Sequence, residues 1–158
     1  MAAGKNSSSG SEVPKKINTP VPFEDTEQEM LFRWARISEG KHPELRMMYA
    51  IPNGGYRHLH TAVRMKRTGT KAGVPDICLP VPRGSYHGMY IELKRLKGGH
   101  VSEEQKRWIQ ALKQQGYCVV VAYGAYDAIE CIKSYLSGES AGNLQNGAIK
   151  AIREEPHG

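Results

Sequence analysis

PDICLPVPRGSYHGMYIELK, residues 75–94, decides how the chain is read. In its second half Met89, Ile91 and Leu93 alternate with Tyr90, Glu92 and Lys94, the period of two expected of a half-buried strand. Glu92 and Lys94 are therefore expected on one face. In the first half Asp76-Ile77-Cys78-Leu79 reads as another strand, and Pro82, Arg83, Gly84 and Ser85 supply the turn between the two. Folded back as an antiparallel pair, these strands bring the Asp76 carboxylate beside that of Glu92. Two carboxylates held close repel unless a cation lies between them. Hard oxygens suit Mg²⁺ or Mn²⁺, which take one or two carboxylates, several waters and phosphate oxygens. Lys94 then stands beside a metal-bound water, where it can orient that water or stabilise charge building on a phosphate. A surface hairpin with an ordinary Glu/Lys pair is the competing reading, because Glu-x-Lys in a strand is common. The neighbouring segments decide between them.

A chain of 158 residues fits one domain with tails. No apolar run approaches the ~20 residues of a membrane-spanning helix, so a soluble protein with no membrane partner is expected. Lysine and arginine exceed the acids 22 to 16, a net charge of +6 that favours a polyanionic partner such as nucleic acid. From Leu45 to Pro75 there is no acid, while Arg46, Arg57, Arg64, Lys66, Arg67 and Lys71 fall there, and this basic stretch runs straight into Asp76. Asn53, Arg57, His58, Arg64, Lys66, Arg67, Lys71, Arg95 and Lys97 are the candidate nucleic-acid contacts. Cys78, Cys118 and Cys131 lie in apolar patterns with no secretory signal, as buried thiols of a reducing cytoplasm do. His58-x-His60 lies among basic residues and suits phosphate better than metal.

Residues 1–19 lack hydrophobic periodicity and read as a disordered tail. A helix is expected from the neighbourhood of Pro22–Thr26 to Gly40, with Leu31, Trp34, Ala35 and Ile37 buried. Glu24 shares a stripe with Gln28, Leu31 and Ala35, and Glu27 a neighbouring one with Leu31 and Trp34, so either acid can reach a site built by the strands. Acids there also answer the helix dipole, and Thr26 with Glu29 spells a capping box. Leu45–Ile51 reads as a strand ended by the turn Pro52-Asn53-Gly54-Gly55, and residues 56–73 as an excursion or flexible loop beside the site. After the basic loop Arg95–His100, Ser102 and Gln105 form a capping box opening a helix over Lys106–Gln115, with Trp108, Ile109 and Leu112 inside and Gly116 at its end. Gln105 can also face the site. Tyr117–Tyr123 is a continuous apolar strand of the kind buried on both faces, parallel to Met89–Lys94 through the helical crossover. Ala125–Leu136 is an amphipathic helix with Ala128, Ile129, Ile132 and Leu136 inside. Residues 139–158 are a polar tail with a weak helical pattern at Leu144, Ile149 and Ile152, suited to a partner-binding or dimer-forming helix.

Helix, strand, hairpin carrying Asp76 and Glu92-Leu93-Lys94, capped helix, strand and helix together resemble the PD-(D/E)XK nuclease superfamily. Glu24 with Gln28, Pro52-Asn53-Gly54-Gly55, Gly73-Val74-Pro75-Asp76, Ile91-Glu92-Leu93-Lys94 and Ser102-x-x-Gln105-x-x-Trp108 narrow the resemblance to the VRR-Nuc family, over roughly residues 22–136. The resemblance implies an α/β fold of αβββαβα order, a mixed sheet of about four strands flanked by helices, spanning residues 20–138. It implies a metal-dependent DNA endonuclease in which Asp76 and Glu92 bind Mg²⁺ or Mn²⁺ with the Leu93 backbone carbonyl. Lys94 is then catalytic, Glu24 or else Glu27 completes the site, and Gln105 supports it. Stand-alone members, often from phages, resemble a minimal homodimeric Holliday-junction resolvase, whereas the domain in longer proteins serves flap or crosslink repair. A chain with no room for accessory domains points to the dimer, acting on four-way junctions in the cytoplasm of a bacterium or a phage-infected cell. The competing readings are a flap or other branched-DNA repair nuclease, a restriction-type nuclease, and a non-catalytic nucleic-acid-binding module.

Overall fold

The computed structural model describes residues 23–52 and 59–138. The two tails, the turn at Asn53 and the candidates Asn53, Arg57 and His58 lie outside the described residues. The elements run α1 (Glu24–Ser38), a 3-10 turn (Pro43–Met47), β1 (Tyr49–Ala50), α2 (Leu59–Arg67), β2 (Ile77–Leu79), β3 (Met89–Lys94), α3 (Glu103–Gln114), β4 (Cys118–Tyr123) and α4 (Ala125–Leu136). They build one mixed sheet in the order β1-β2-β3-β4. β1, β2 and β3 are antiparallel neighbours, and β3 and β4 run parallel through the α3 crossover.

The alternation in β3 sorts its side chains between two layers. Met89, Ile91 and Leu93 enter the main core with Val120 and Ala122 of β4, Leu31 and Ala35 of α1, and Ala128, Ile132 and Tyr135 of α4. Each large aliphatic side chain buried there contributes about 1.5–3 kcal/mol. The Tyr135 hydroxyl satisfies itself on the Val81 carbonyl at 2.6 Å. Glu92 and Lys94 face the other way and are buried too, so β3 is not the half-buried strand its pattern suggests. Its second face is roofed by the start of α3 and by the loop after Lys94. There Gly99 comes so close that a Cβ would lie 2.9 Å from the Lys94 Cβ.

Five further expectations are corrected. Leu45–Ile51 is not a strand throughout: Pro43 at a helical first position starts a 3-10 turn, Leu45 and Met48 are buried three residues apart, and only Tyr49–Ala50 pairs with β2. Residues 56–73 are not simply loop, because they hold α2; over its last five residues, where burial is described, Val63, Arg64, Lys66 and Arg67 are exposed and Met65 is half-buried, so that part carries no fully buried position for a helical period to mark. In α1 the Thr26/Glu29 capping box does not form, because the helix starts earlier, after Phe23, without a side-chain cap. Ile37 is 75% exposed, the inward stripe being Glu27, Leu31 and Ala35. In α3 Trp108, Ile109 and Leu112 are half-buried and no residue is fully buried, because the helix lies against the flank of the sheet, chiefly on β4.

Candidate active site

Asp76 sits one residue before β2, delivered there by a segment with little freedom. Gly73 has φ +82°, and a Cβ on it would lie 2.7 Å from the Glu104 backbone in the first turn of α3. The Trp108 indole N–H donates to the Ala72 carbonyl at 3.0 Å, and Pro75 is buried. The turn preceding Asp76 is thus clamped onto α3. The β2–β3 register pairs Ile77 with Ile91, so one step further Asp76 falls opposite Glu92. There the ladder ends, and the Asp76 side chain takes the next amide itself: Leu93 N–H donates to Asp76 Oδ2 at 2.9 Å.

Glu92 is fully buried. Its Oε1 accepts from Lys94 Nζ at 2.8 Å and from the Gln105 side-chain amide. Its Oε2 is buried with no hydrogen-bond partner among the described residues. Burial is the main cause that pushes the Glu92 carboxyl up to about 7; Asp76 and Glu24 push the same way, and Lys94 opposes them. Gln105 reaches Glu92 because of the capping box: Ser102 N–H donates to Gln105 Oε1 at 2.8 Å, Gln105 N–H donates to Ser102 Oγ at 3.2 Å, and the remaining amide NH₂ turns to Glu92. One side chain serves both the helix end and the carboxylate.

The two first-helix acids part company. Glu27 is buried and its Oε2 accepts the Ala125 N–H at 2.8 Å, at the N-terminus of α4, where a carboxylate satisfies an orphan donor and the helix dipole. Glu24 is exposed, and its charge acts on Glu92. Among the described residues no group of three His, Cys, Asp or Glu is close enough to hold an ion, so neither acid joins Asp76 and Glu92 in a closed cage. Arg64, Lys66 and Arg67 are exposed on α2, Lys71 and Lys97 are exposed in loops, and Arg95 is half-buried. The α4 contact of Glu27 and the close seat of Gly99 over Lys94 escape the sequence, because each depends on a segment whose position only the fold fixes.

The residues present suit a divalent cation. Glu92 Oε2 is a hard, buried, unpartnered oxygen, and Asp76 beside it adds a second carboxylate whose field already raises the Glu92 carboxyl. Lys94 and Gln105 both occupy the other oxygen, so Oε2 is the one left for a ligand.

The VRR-NUC domain model matches residues 21–126, from the first-helix acids through β4. A solved structure described as a VRR_NUC domain protein is similar at 32% identity and a TM-score of 0.63, over 74% of this chain and 90% of that chain. No curated protein matches the chain. The four-stranded mixed sheet with helices on both sides is consistent with a PD-(D/E)XK-like core, and the domain is of the nuclease type. The match takes in every element that brings Asp76, Glu92, Lys94 and Gln105 together, and on it the chain belongs to the VRR-NUC family.

Proposed function

We propose that the protein is a metal-dependent, structure-specific DNA endonuclease, acting as a homodimer on four-way junctions. The observation that carries the catalytic reading is the buried, unpartnered Glu92 Oε2 beside Asp76, with Lys94 held on the same carboxylate. A retired site has no physical reason to keep like charges buried together.

Asp76, Glu92 and the Leu93 carbonyl would hold Mg²⁺ or Mn²⁺, with Glu24 adding negative charge from the rim. Bound there, the ion supplies Lewis acidity to the scissile phosphodiester and lowers the pKa of a coordinated water. The chain's own residues do the positioning. The Leu93 N–H fixes the rotamer of Asp76. Gln105 and Lys94 fix Glu92 through one oxygen. Lys94, tethered by its Glu92 contact, places a cation where the attacking water is oriented or where charge builds on the phosphate. The exposed cations of α2 and of the loops at Lys71 and Lys97 attract the polyanion. Paired cuts across a four-way junction require two equivalent sites, which a twofold dimer provides.

The test is cleavage of a labelled immobile four-way junction, a flap and a linear duplex in Mg²⁺ or Mn²⁺, with Asp76→Ala as control. Paired symmetric cuts in the junction alone, absent in the variant, support the resolvase. Cutting mainly the flap moves the protein to repair-type processing, and cutting linear duplex at fixed sites to a restriction-type nuclease. No metal-dependent cutting of any substrate leaves a binding module. Asp76→Ala, Glu92→Ala and Lys94→Ala are each expected to abolish cleavage with DNA binding largely kept; loss of binding in all three would overturn the catalytic assignment.

A further inference from the structure

On the face of the sheet that carries Glu92 and Lys94, the rung next to the carboxylates is aromatic. The register aligns Tyr49 of β1, Cys78 of β2 and Tyr90 of β3 across three strands. Tyr90 precedes Glu92 by two residues on the same face, and Cys78 follows Asp76 by two. The tyrosine rung therefore lies about 6.6 Å along the strands from the Asp76–Glu92 rung, at about 3.3 Å per residue. Cys78, small and buried, lies between the two tyrosines on this rung, and its thiol is the first cause that raises the Tyr49 phenol. Tyr90 is held edge-on by Tyr117, ring centroids 5.2 Å apart at 80°, and Tyr117 is braced in turn by His87 at 5.9 Å and 74°. Tyr49, at the outer end of the rung, is 50% exposed. α3 packs chiefly on β4, at the opposite edge of the sheet from Tyr49.

A rung with Tyr49 exposed and Tyr90 half-buried, continuous with the buried Glu92 and the half-buried Asp76, has a ligand chemistry of its own. Aromatic side chains on a sheet face stack nucleobases, and the face of any base suffices. Bases inside a duplex are already stacked and offer no face; an unpaired base at a branch point does. The charge of the chain that leads out of β1 and into β2 fits a nucleic acid, because from Leu45 to Pro75 it has no acid and it exposes Arg64, Lys66, Arg67 and Lys71.

We propose that Tyr49 and Tyr90 form a stacking platform for an unpaired base of the DNA strand that enters the site. The proposal rests on the nuclease reading for the placing of that strand, and its own content is a preference for single-stranded over duplex DNA. Tyr49 is the residue to change, because it is half-exposed and outside the carboxylate machinery.

The experiment is fluorescence anisotropy of a labelled single-stranded oligonucleotide and of a blunt duplex of equal length. Both are titrated in EDTA with the full chain as wild type, Tyr49→Leu and Tyr49→Phe, and each variant is checked by sedimentation. Tyr49→Leu is expected to weaken single-strand binding by about 5- to 150-fold, the worth of one stacked base, with duplex binding changed less than about twofold and Tyr49→Phe near wild type. Equal single-strand affinity of Tyr49→Leu and wild type would overturn the platform. So would an equal loss on duplex, or a Tyr49→Phe variant as weak as Tyr49→Leu. Dissociation of a dimer by Tyr49→Leu at unchanged DNA affinity would give this face to a second copy of the chain instead. Because EDTA prevents metal-dependent cutting, a selective loss in Tyr49→Leu alongside an absence of cleavage in metal would keep the platform while removing the nuclease reading.

Discussion

Glu92→Gln tests the central electrostatic claim without any nucleic acid. Burial raises the Glu92 carboxyl from 4.5 to about 7, and at about 1.36 kcal/mol per pH unit the shift amounts to roughly 3 kcal/mol. The folded chain holds a proton that the unfolded chain releases between those two values. Stability in the absence of metal must then fall as pH rises through that window, with the whole penalty present above pH 7 and none below pH 4.5. Glutamine does not titrate, so Glu92→Gln lacks this component. It also leaves Lys94 without its carboxylate, which shifts the variant's stability at every pH by a further amount; the informative quantity is the pH dependence of the difference. Urea unfolding of both proteins in EDTA from pH 4.5 to pH 8 is expected to show wild type losing about 3 kcal/mol relative to the variant. Every other ionisable group is common to the two proteins and cancels in the comparison. Saturating Mn²⁺ at pH 8 should return about 2.7 kcal/mol to wild type at a hundredfold excess over Kd, and much less to the variant. Curves that stay parallel within about 0.5 kcal/mol would refute the claim that burial beside Asp76 raises the Glu92 carboxyl.

The two first-helix acids should separate cleanly. Glu27→Ala is expected to cost about 1–2 kcal/mol in urea unfolding through the lost partner of the Ala125 N–H, whereas Glu24→Ala should leave stability within about 0.5 kcal/mol and raise the metal concentration needed for cleavage. Ser102→Ala should cost about 1 kcal/mol through the cap alone, while Gln105→Ala, which also strips Glu92, should lower cleavage more than stability explains. Gly73→Ala meets both a left-handed backbone and the Glu104 main chain and is expected to destabilise by more than about 1 kcal/mol with loss of cleavage. Replacing Arg64, Lys66 and Arg67 by alanine should flatten the log–log salt dependence of DNA binding by about 0.9 per phosphate contact removed, read by anisotropy at several salt concentrations.

What the sequence disclosed follows from which elements carry their own periodicity. β3 pairs on both sides and α4 buries one stripe, so Met89–Lys94 and Ala125–Leu136 stand with the bounds read from alternation and helical spacing. The antiparallel hairpin then forces Asp76 opposite Glu92. α2 was illegible because its last five residues, with Val63 exposed and Met65 half-buried, carry no fully buried position to mark a helical period. Pro43 and the three-residue spacing of Leu45 and Met48 were present but masked by an apolar run that looks like a strand. At the site the choice between Glu24 and Glu27 had no local signal, since the partner of Glu27 is Ala125, 98 residues on. The Asp76 bond to the Leu93 amide depends on where the β2–β3 ladder stops, which no spacing of residues encodes.

The double engagement of Gln105 makes the first turn of α3 and the Glu92 carboxylate a single mechanical unit. Helix ends fray, and when Gln105 releases Ser102 in such an opening its grip on Glu92 loosens too. Whatever stiffens one end of that linkage stiffens the other, so an ion seated on Glu92 should slow amide exchange at Ser102 and Gln105, on the opposite side of the side chain from the ion. The precision of the site is thereby inherited from helix phase: a register slip of one residue in α3 would leave every carboxylate in place and still turn the supporting amide away.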